Sequence, residues 1–153
     1  MSTVHAPRRN SSLVQLLYAG LTASALGTLA PLVDLVTVGS IAAHVRDAYP
    51  TWPDGSVNAD TYAIAGYLST VGLLGVVGWC WTIRLVRRRS SRSRAVAVTL
   101  FSLAALTALT TLSYGGAAYD TVVPTTYGLL GLVPVLVGAG AAVQLYRQPT
   151  SPS

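Results

Sequence analysis

The chain of 153 residues, at 15.9 kDa, has room for one domain. Hydrophobic residues make up 52% and charged residues 10%, where soluble domains carry about 25% charged. That excludes an ordinary water-facing surface. The net charge of +5 comes from ten Arg and five Asp, with no Lys and no Glu, and the single Cys excludes an internal disulfide framework or a paired-thiol redox centre.

Four uncharged stretches reach the ~20 apolar residues that a helix needs to cross a bilayer: 13–33, 61–83, 95–119 and 121–146. They lack the alternation of membrane β-strands, and an α-helix satisfies its own backbone in lipid. The expected fold is therefore all-α: a polytopic membrane protein built as an up-down bundle of four transmembrane helices. Residues 13–147 form its single domain, between polar tails 1–12 and 148–153.

In chain order, the first span carries small residues every four positions, at Ala19, Ala23 and Gly27. Arg8 and Arg9 followed by Ala23-Ser24-Ala25 resemble a secretory signal with its cleavage site. Apolar character continues through Leu26, Leu29, Leu32 and Val33, so retention as a span is expected. Beyond it, Val38, Ile41, Ala42 and Val45 share one side of a helical wheel, with Thr37, Ser40, His44 and Asp47 on another. This pattern predicts an outer extension of the first helix of about three turns, ended by Tyr49-Pro50-Thr51-Trp52-Pro53-Asp54-Gly55. Ser56 or Asp60 is placed to cap the next helix.

The second span has glycines at 72, 75 and 78 (Gly72, Gly75, Gly78), and the fourth has Gly128, Gly131 and Gly138 along roughly one face. Such ridges let helix backbones approach closely where lipid offers no hydrophobic gain. In the third span Thr107, Thr110 and Thr111 are placed to form interhelical hydrogen bonds.

Nine Arg lie at the N-terminus, in the link RLVRRRSSRSR or after the fourth span, whereas Arg46 and all five Asp lie between spans on the opposite side. The two sides sum to +9 and −4. Because Arg is concentrated in cytoplasmic loops, both termini are expected in the cytoplasm of a cell-membrane protein. Arg84, Arg87, Arg88, Arg89, Arg92 and Arg94 are expected to act topogenically and to contact anionic lipid head groups, at ~1 kcal/mol each. Nucleic acid is not an expected partner, since the run is short and lacks interleaved aromatics.

Asp34 is the only acidic residue placed to lie within the membrane. Its neighbours in depth are the hydroxyls of Tyr67, Tyr114 and Tyr127, so these four residues form a candidate outer polar site, against the alternative of an ordinary interfacial Asp. The remaining aromatics read as interfacial belts. His44 and Asp47 have metal-ligand spacing but do not complete a site, so no metal is expected. Cys80, between Trp79 and Trp81, reads as a small apolar filler.

Several four-helix membrane activities need residues that this chain lacks. Small multidrug exporters use a membrane Glu, quinone-linked disulfide formers and vitamin K epoxide reductases use paired Cys, and bundles that hold heme b use facing intramembrane His. No catalytic group and no cofactor is expected. Leu17-Tyr18-Ala19-Gly20, the Arg46-Asp47 outer turn, Trp79-x-Trp81 with its Arg cluster, and Leu129-Leu130-Gly131-Leu132 leading to Tyr146-Arg147 resemble small, uncharacterised four-span membrane proteins of high-GC, actinobacterial-type bacteria. The resemblance implies no activity, substrate or cofactor. Two function classes remain: a non-enzymatic partner-binding, accessory or assembly subunit, or a small transporter or channel subunit that oligomerises around a polar path. Thr107, Thr110, Thr111, Gln144 and Asp34 are the candidates to line such a path.

Overall fold

A computed structural model describes residues 9–88 and 92–147. The tails 1–8 and 148–153, and Arg89 in the link, lie outside the described residues. The chain forms α1 (Arg9–Val36), α2 (Ser40–Ala48), α3 (Asp54–Arg87), α4 (Ser93–Ser113) and α5 (Thr125–Arg147). Four of these, all but α2, are long and apolar enough to cross a membrane. Large apolar side chains such as Leu74, Leu106, Leu109 and Leu136 point outward from the bundle, as lipid-facing surfaces require. The architecture is an all-α polytopic bundle.

The two largest differences from the expected boundaries, at the start of α3 and the end of α4, have local reasons. α3 begins at Asp54, a full two turns before residue 61, behind the N-cap Pro53. Pro53 has an extended backbone and suits the position just before a helix, and Asp54 adds a favourable negative charge to its first turn. Ser56 and Asp60 therefore sit inside the helix and do not cap it. α4 ends at Ser113, because Gly115–Tyr119 turn back on themselves. Ala117 adopts a positive φ of 53° there, and Gly116 pairs with Tyr119.

The outer extension of α1 is a separate helix. Gly39 takes the left-handed conformation, φ 67°, which costs glycine little. Its N–H donates to the Asp34 carbonyl five residues back at 2.9 Å, closing the end of α1. The chain then restarts as α2 in a new direction. Ile41 and Val45 of the predicted stripe are fully buried, but Val38 falls in the break and is exposed.

α1 packs chiefly on α3 and α5, and α4 chiefly on α5. The α1–α3 contact is made by small residues, in a register one position away from the expected ridge. On α1 the contact residues are Gly20, Ser24 and Thr28; on α3 they are Gly72, Gly75 and Trp79. A Cβ on Gly20 would overlap the Trp79 ring. One on Gly72 would lie 2.7 Å from the Thr28 backbone nitrogen, and one on Gly75 2.9 Å from Ser24 Oγ. Ala19 is exposed and Gly27 has open space beside it. Trp79 supplies the reason for the shift: its ring needs a residue without a side chain opposite, and Gly20 is that residue.

The other ridge glycines divide. Gly78 faces Leu100, Gly128 faces Leu112, and Gly138 faces Phe101 and Trp79, so all three serve helix contacts. Gly131 has nothing within 4 Å and is exposed on the bundle surface. Its one-face alignment with Gly128 was too coarse, since three residues of helix rotate it about 300° and leave it beside the interface.

Candidate functional site

The bundle has two dissimilar ends. At the arginine-rich end, Leu13, Leu17, Ala141 and Leu145 are buried, with Trp79 and Ile83 packed against them. At the opposite end α2 lies over the bundle, burying Ile41 and Val45 against Val57, Ile64, Ala65 and Val123. The polar chemistry concentrates there.

Asp34, in the last turn of α1, is 5% exposed. Its Oδ1 accepts from the Ser40 backbone N–H at 3.0 Å and from Ser40 Oγ at 2.7 Å. Its Oδ2 accepts from the Ile41 N–H at 3.0 Å. The carboxylate thus satisfies the first two backbone donors of α2, groups that a helix start always leaves without an intrahelical partner. Tyr127 faces the same pair, its hydroxyl interacting with both Asp34 and Ser40. One residue therefore ends α1 through its carbonyl and starts α2 through its side chain.

The far side of α2 is tied to the α4–α5 link. His44 Nε2 lies 2.9 Å from the Thr121 carbonyl; a carbonyl only accepts, so Nε2 carries the proton. The imidazole stacks on Tyr119 with centroids 5.3 Å apart and an angle of 18° between the planes. Tyr119 donates its hydroxyl to Asp60 Oδ2 at 2.5 Å. Burial first, then this bond and the Asp60 charge, and last Tyr49, raise the Tyr119 pKa above its ordinary 10.0. Tyr49 stacks on Trp52 at 3.8 Å and meets Tyr119 edge-on at 5.2 Å. At the rim Arg46 pairs with Asp54 and donates to the Trp52 carbonyl at 3.3 Å.

Of the four residues read as an outer polar site, the structure brings Asp34 and Tyr127 together. Tyr67 is directed elsewhere: its hydroxyl meets Thr111 Oγ1 at 2.9 Å. Thr111 gives its proton to the Thr107 carbonyl, so Tyr67 is the donor. Tyr114 is 64% exposed and stands apart from Asp34. Thr107 and Thr110 bond back to carbonyls of their own helix, and Gln144 accepts from Ser12 at 3.4 Å. Only Thr111 of the three threonines reaches a second helix.

Sequence reasoning missed His44, Asp60 and Tyr119 as a connected set, because it placed His44 and Asp47 together on a solvated face. Asp47 is exposed, as that reading has it. His44 is not, and the signal that separates the two lies in a segment 77 residues away. Among the described residues no cluster of three or more His, Cys, Asp or Glu could hold a metal ion. At the arginine-rich end, Arg84, Arg87, Arg88 and Arg92 are exposed and Arg94 is half-buried. Arg87 donates to the Tyr18 hydroxyl at 2.8 Å, with its guanidinium 6.0 Å from that ring's centre. Cys80 is exposed on the bundle surface. Comparison of the chain with known families, curated proteins and solved structures finds no match.

Chemically, the capped end is closed. Both Asp34 oxygens are committed to backbone and hydroxyl donors, and Asp60 is occupied by Tyr119. The arrangement ties α2 to α1 through Asp34 and Ser40 and to the α4–α5 link through His44.

Proposed function

We propose that this chain is a non-enzymatic multi-pass protein of the cell membrane, with both termini in the cytoplasm, that acts as a partner-binding accessory or assembly subunit. The observation that carries this reading is the Tyr67–Thr111 pair. Its hydroxyls meet across α3 and α4 on a face that the bundle leaves open, with Tyr67 43% exposed. Hydroxyls on a lipid-facing surface favour a second helix that can share their hydrogen bonds, at ~0.6 kcal/mol each. The commitment of Asp34 to capping weighs against the transporter or channel alternative, which needs an available polar group within the spans.

Photo-crosslinking in intact cells tests the proposal. A benzoyl-phenylalanine at position 67 is expected to capture one specific membrane protein, recovered again when that partner is purified. The same group in place of Leu136, 70% exposed on α5, is expected to capture lipid alone. Equal capture at both positions overturns the reading, and capture of a second copy alone at 67 favours the oligomeric alternative. Orientation is tested separately by impermeant thiol labelling of Ser56→Cys and Ser93→Cys in a Cys80→Ser background. Only the position 56 thiol is expected to react from outside; labelling at position 93 alone reverses the topology.

A further inference from the structure

A groove of about 490 Å³ runs between α4 and α5 at the arginine-rich end, walled by Val98, Phe101, Ala139, Ala142, Tyr146 and Arg147 among others. Its floor is low because alanines occupy α5 where bulkier side chains would fill the space. It runs from Ala139 to Arg147, eight residues or ~12 Å of helix. It opens sideways, toward the surface where Leu136 and Val143 meet lipid.

The two helix ends that bound the groove carry positive charge. Arg147 is the last residue of α5 and lines the groove. Arg94 stands in the first turn of α4, four residues before Val98 and therefore on the same helical face. The N-terminus of α4 adds its positive dipole end at that level. Seven arginines among the described residues share this end of the bundle, and every Asp lies toward the other.

We propose that the groove is a binding site for an anionic phospholipid, with one acyl chain laid along Ala139 and Ala142 and the phosphate held by Arg147 and Arg94. An unfilled apolar groove in a bilayer forfeits dispersion contacts on one side, and an acyl chain restores them. A guanidinium makes paired, charge-assisted hydrogen bonds to phosphate. Basic pockets between transmembrane helices recognise anionic head groups in this way. A zwitterionic lipid fits the same groove but brings its own cation beside the arginines, so net negative charge decides the preference. This site is distinct from diffuse attraction at the exposed link, since it needs a groove as well as a charge. It also goes beyond the accessory role and does not rest on it.

Native mass spectrometry of the full chain, stripped of lipid in detergent, is the test. The probe is an equimolar mixture of palmitoyl-oleoyl phosphatidylglycerol and palmitoyl-oleoyl phosphatidylcholine. The wild-type chain is expected to retain phosphatidylglycerol about tenfold over phosphatidylcholine, a difference of ~1.4 kcal/mol. Arg147→Gln is expected to bring the two lipids level, and Ala142→Phe to lower retention of both. Arg88→Gln, exposed at the end of α3, is expected to leave the preference unchanged. Should Ala142→Phe fail to fold, Val143→Phe, half-exposed at the rim, blocks the groove with less intrusion. The proposal is overturned by an Arg147→Gln chain that keeps its preference, or by an Arg88→Gln chain that loses it. A dimer that disappears on filling the groove also overturns it, because the occupant is then a second copy.

Discussion

At the arginine-rich end the buried apolar cluster is Leu13, Leu17, Ala141 and Leu145, and a tryptophan fits against a glycine. At the α2 end the buried Ile41, Val45 and Val57 are ringed by His44, Tyr49, Asp60 and Tyr119, which are joined through hydrogen bonds and ring contacts. The difference follows from the solvent each end meets. Within the spans, burial against another helix gains little over burial against lipid, so shape is what holds helices together. Beyond the spans, water restores a hydrophobic gain of about 25 cal/mol per Å², but every buried polar group must then find a partner. α2 uses that gain for Ile41 and Val45, and Asp34 supplies the partners.

Variants should separate the two regimes. Gly72→Val is expected to do the most damage, since its new side chain meets the Thr28 backbone, which cannot move aside as a flexible side chain would. Overpacking of this kind costs ~1–3 kcal/mol, read as a lowered Tm in detergent with both ends of the bundle affected. Asp34→Asn is expected to cost ~1–2 kcal/mol, because an amide nitrogen would replace one of the two oxygens that receive the Ser40 and Ile41 N–H groups. Hydrogen exchange should then quicken in α2 and stay slow through α1 and α3. Uniform loosening would mean that the cap also governs helix packing.

Alkaline pH provides a graded version of the same separation. The folded chain keeps the Tyr119 proton at a pH where the unfolded chain has lost it. The stabilisation from this group is therefore complete below pH 10.0, the ordinary tyrosine value, and is lost as pH rises beyond it. In single-tryptophan chains, Trp52 emission is expected to change above that pH while Trp79 emission holds. In Tyr119→Phe the Trp52 response should disappear. The smallest effect is expected for Gly131→Leu, which enters open space at the bundle surface and should shift stability by no more than ~0.5 kcal/mol. A larger loss would show that Gly131 contacts something other than lipid.

The four spans were legible in the sequence because a bilayer imposes a length and an absence of charge that few other segments share. The phase of the α1 ridge was not. Ala19 and Gly20, Ala23 and Ser24, and Gly27 and Thr28 are all small, so two neighbouring faces of the helix look alike. The ring of Trp79, on another helix, selects between them. The break at Gly39 was legible in principle, because a glycine followed by serine combines a helix-ending and a helix-starting residue. The continuous apolar stripe through Val38 and Ile41 outweighed that signal. Asp34 was recognised as unusual, but its partners are donors five to seven residues along its own chain together with Tyr127, and not the Tyr67 and Tyr114 hydroxyls expected at similar depth.

The attachment of α2 also imposes an order in time. His44 reaches a carbonyl 77 residues further along the chain, and at ~5–20 residues per second a ribosome takes about 4–15 seconds to supply it. Asp34 and Ser40 emerge almost together, so the cap is available early, but a nine-residue helix needs its apolar face covered to hold. α3 arrives next and covers Ile41 and Val45 on one side. Only when the last hairpin inserts do Thr121, Val123 and Tyr127 close the other. For those seconds one side of α2 lacks the residues that cover it in the folded chain, and arrival of the final pair of helices supplies them.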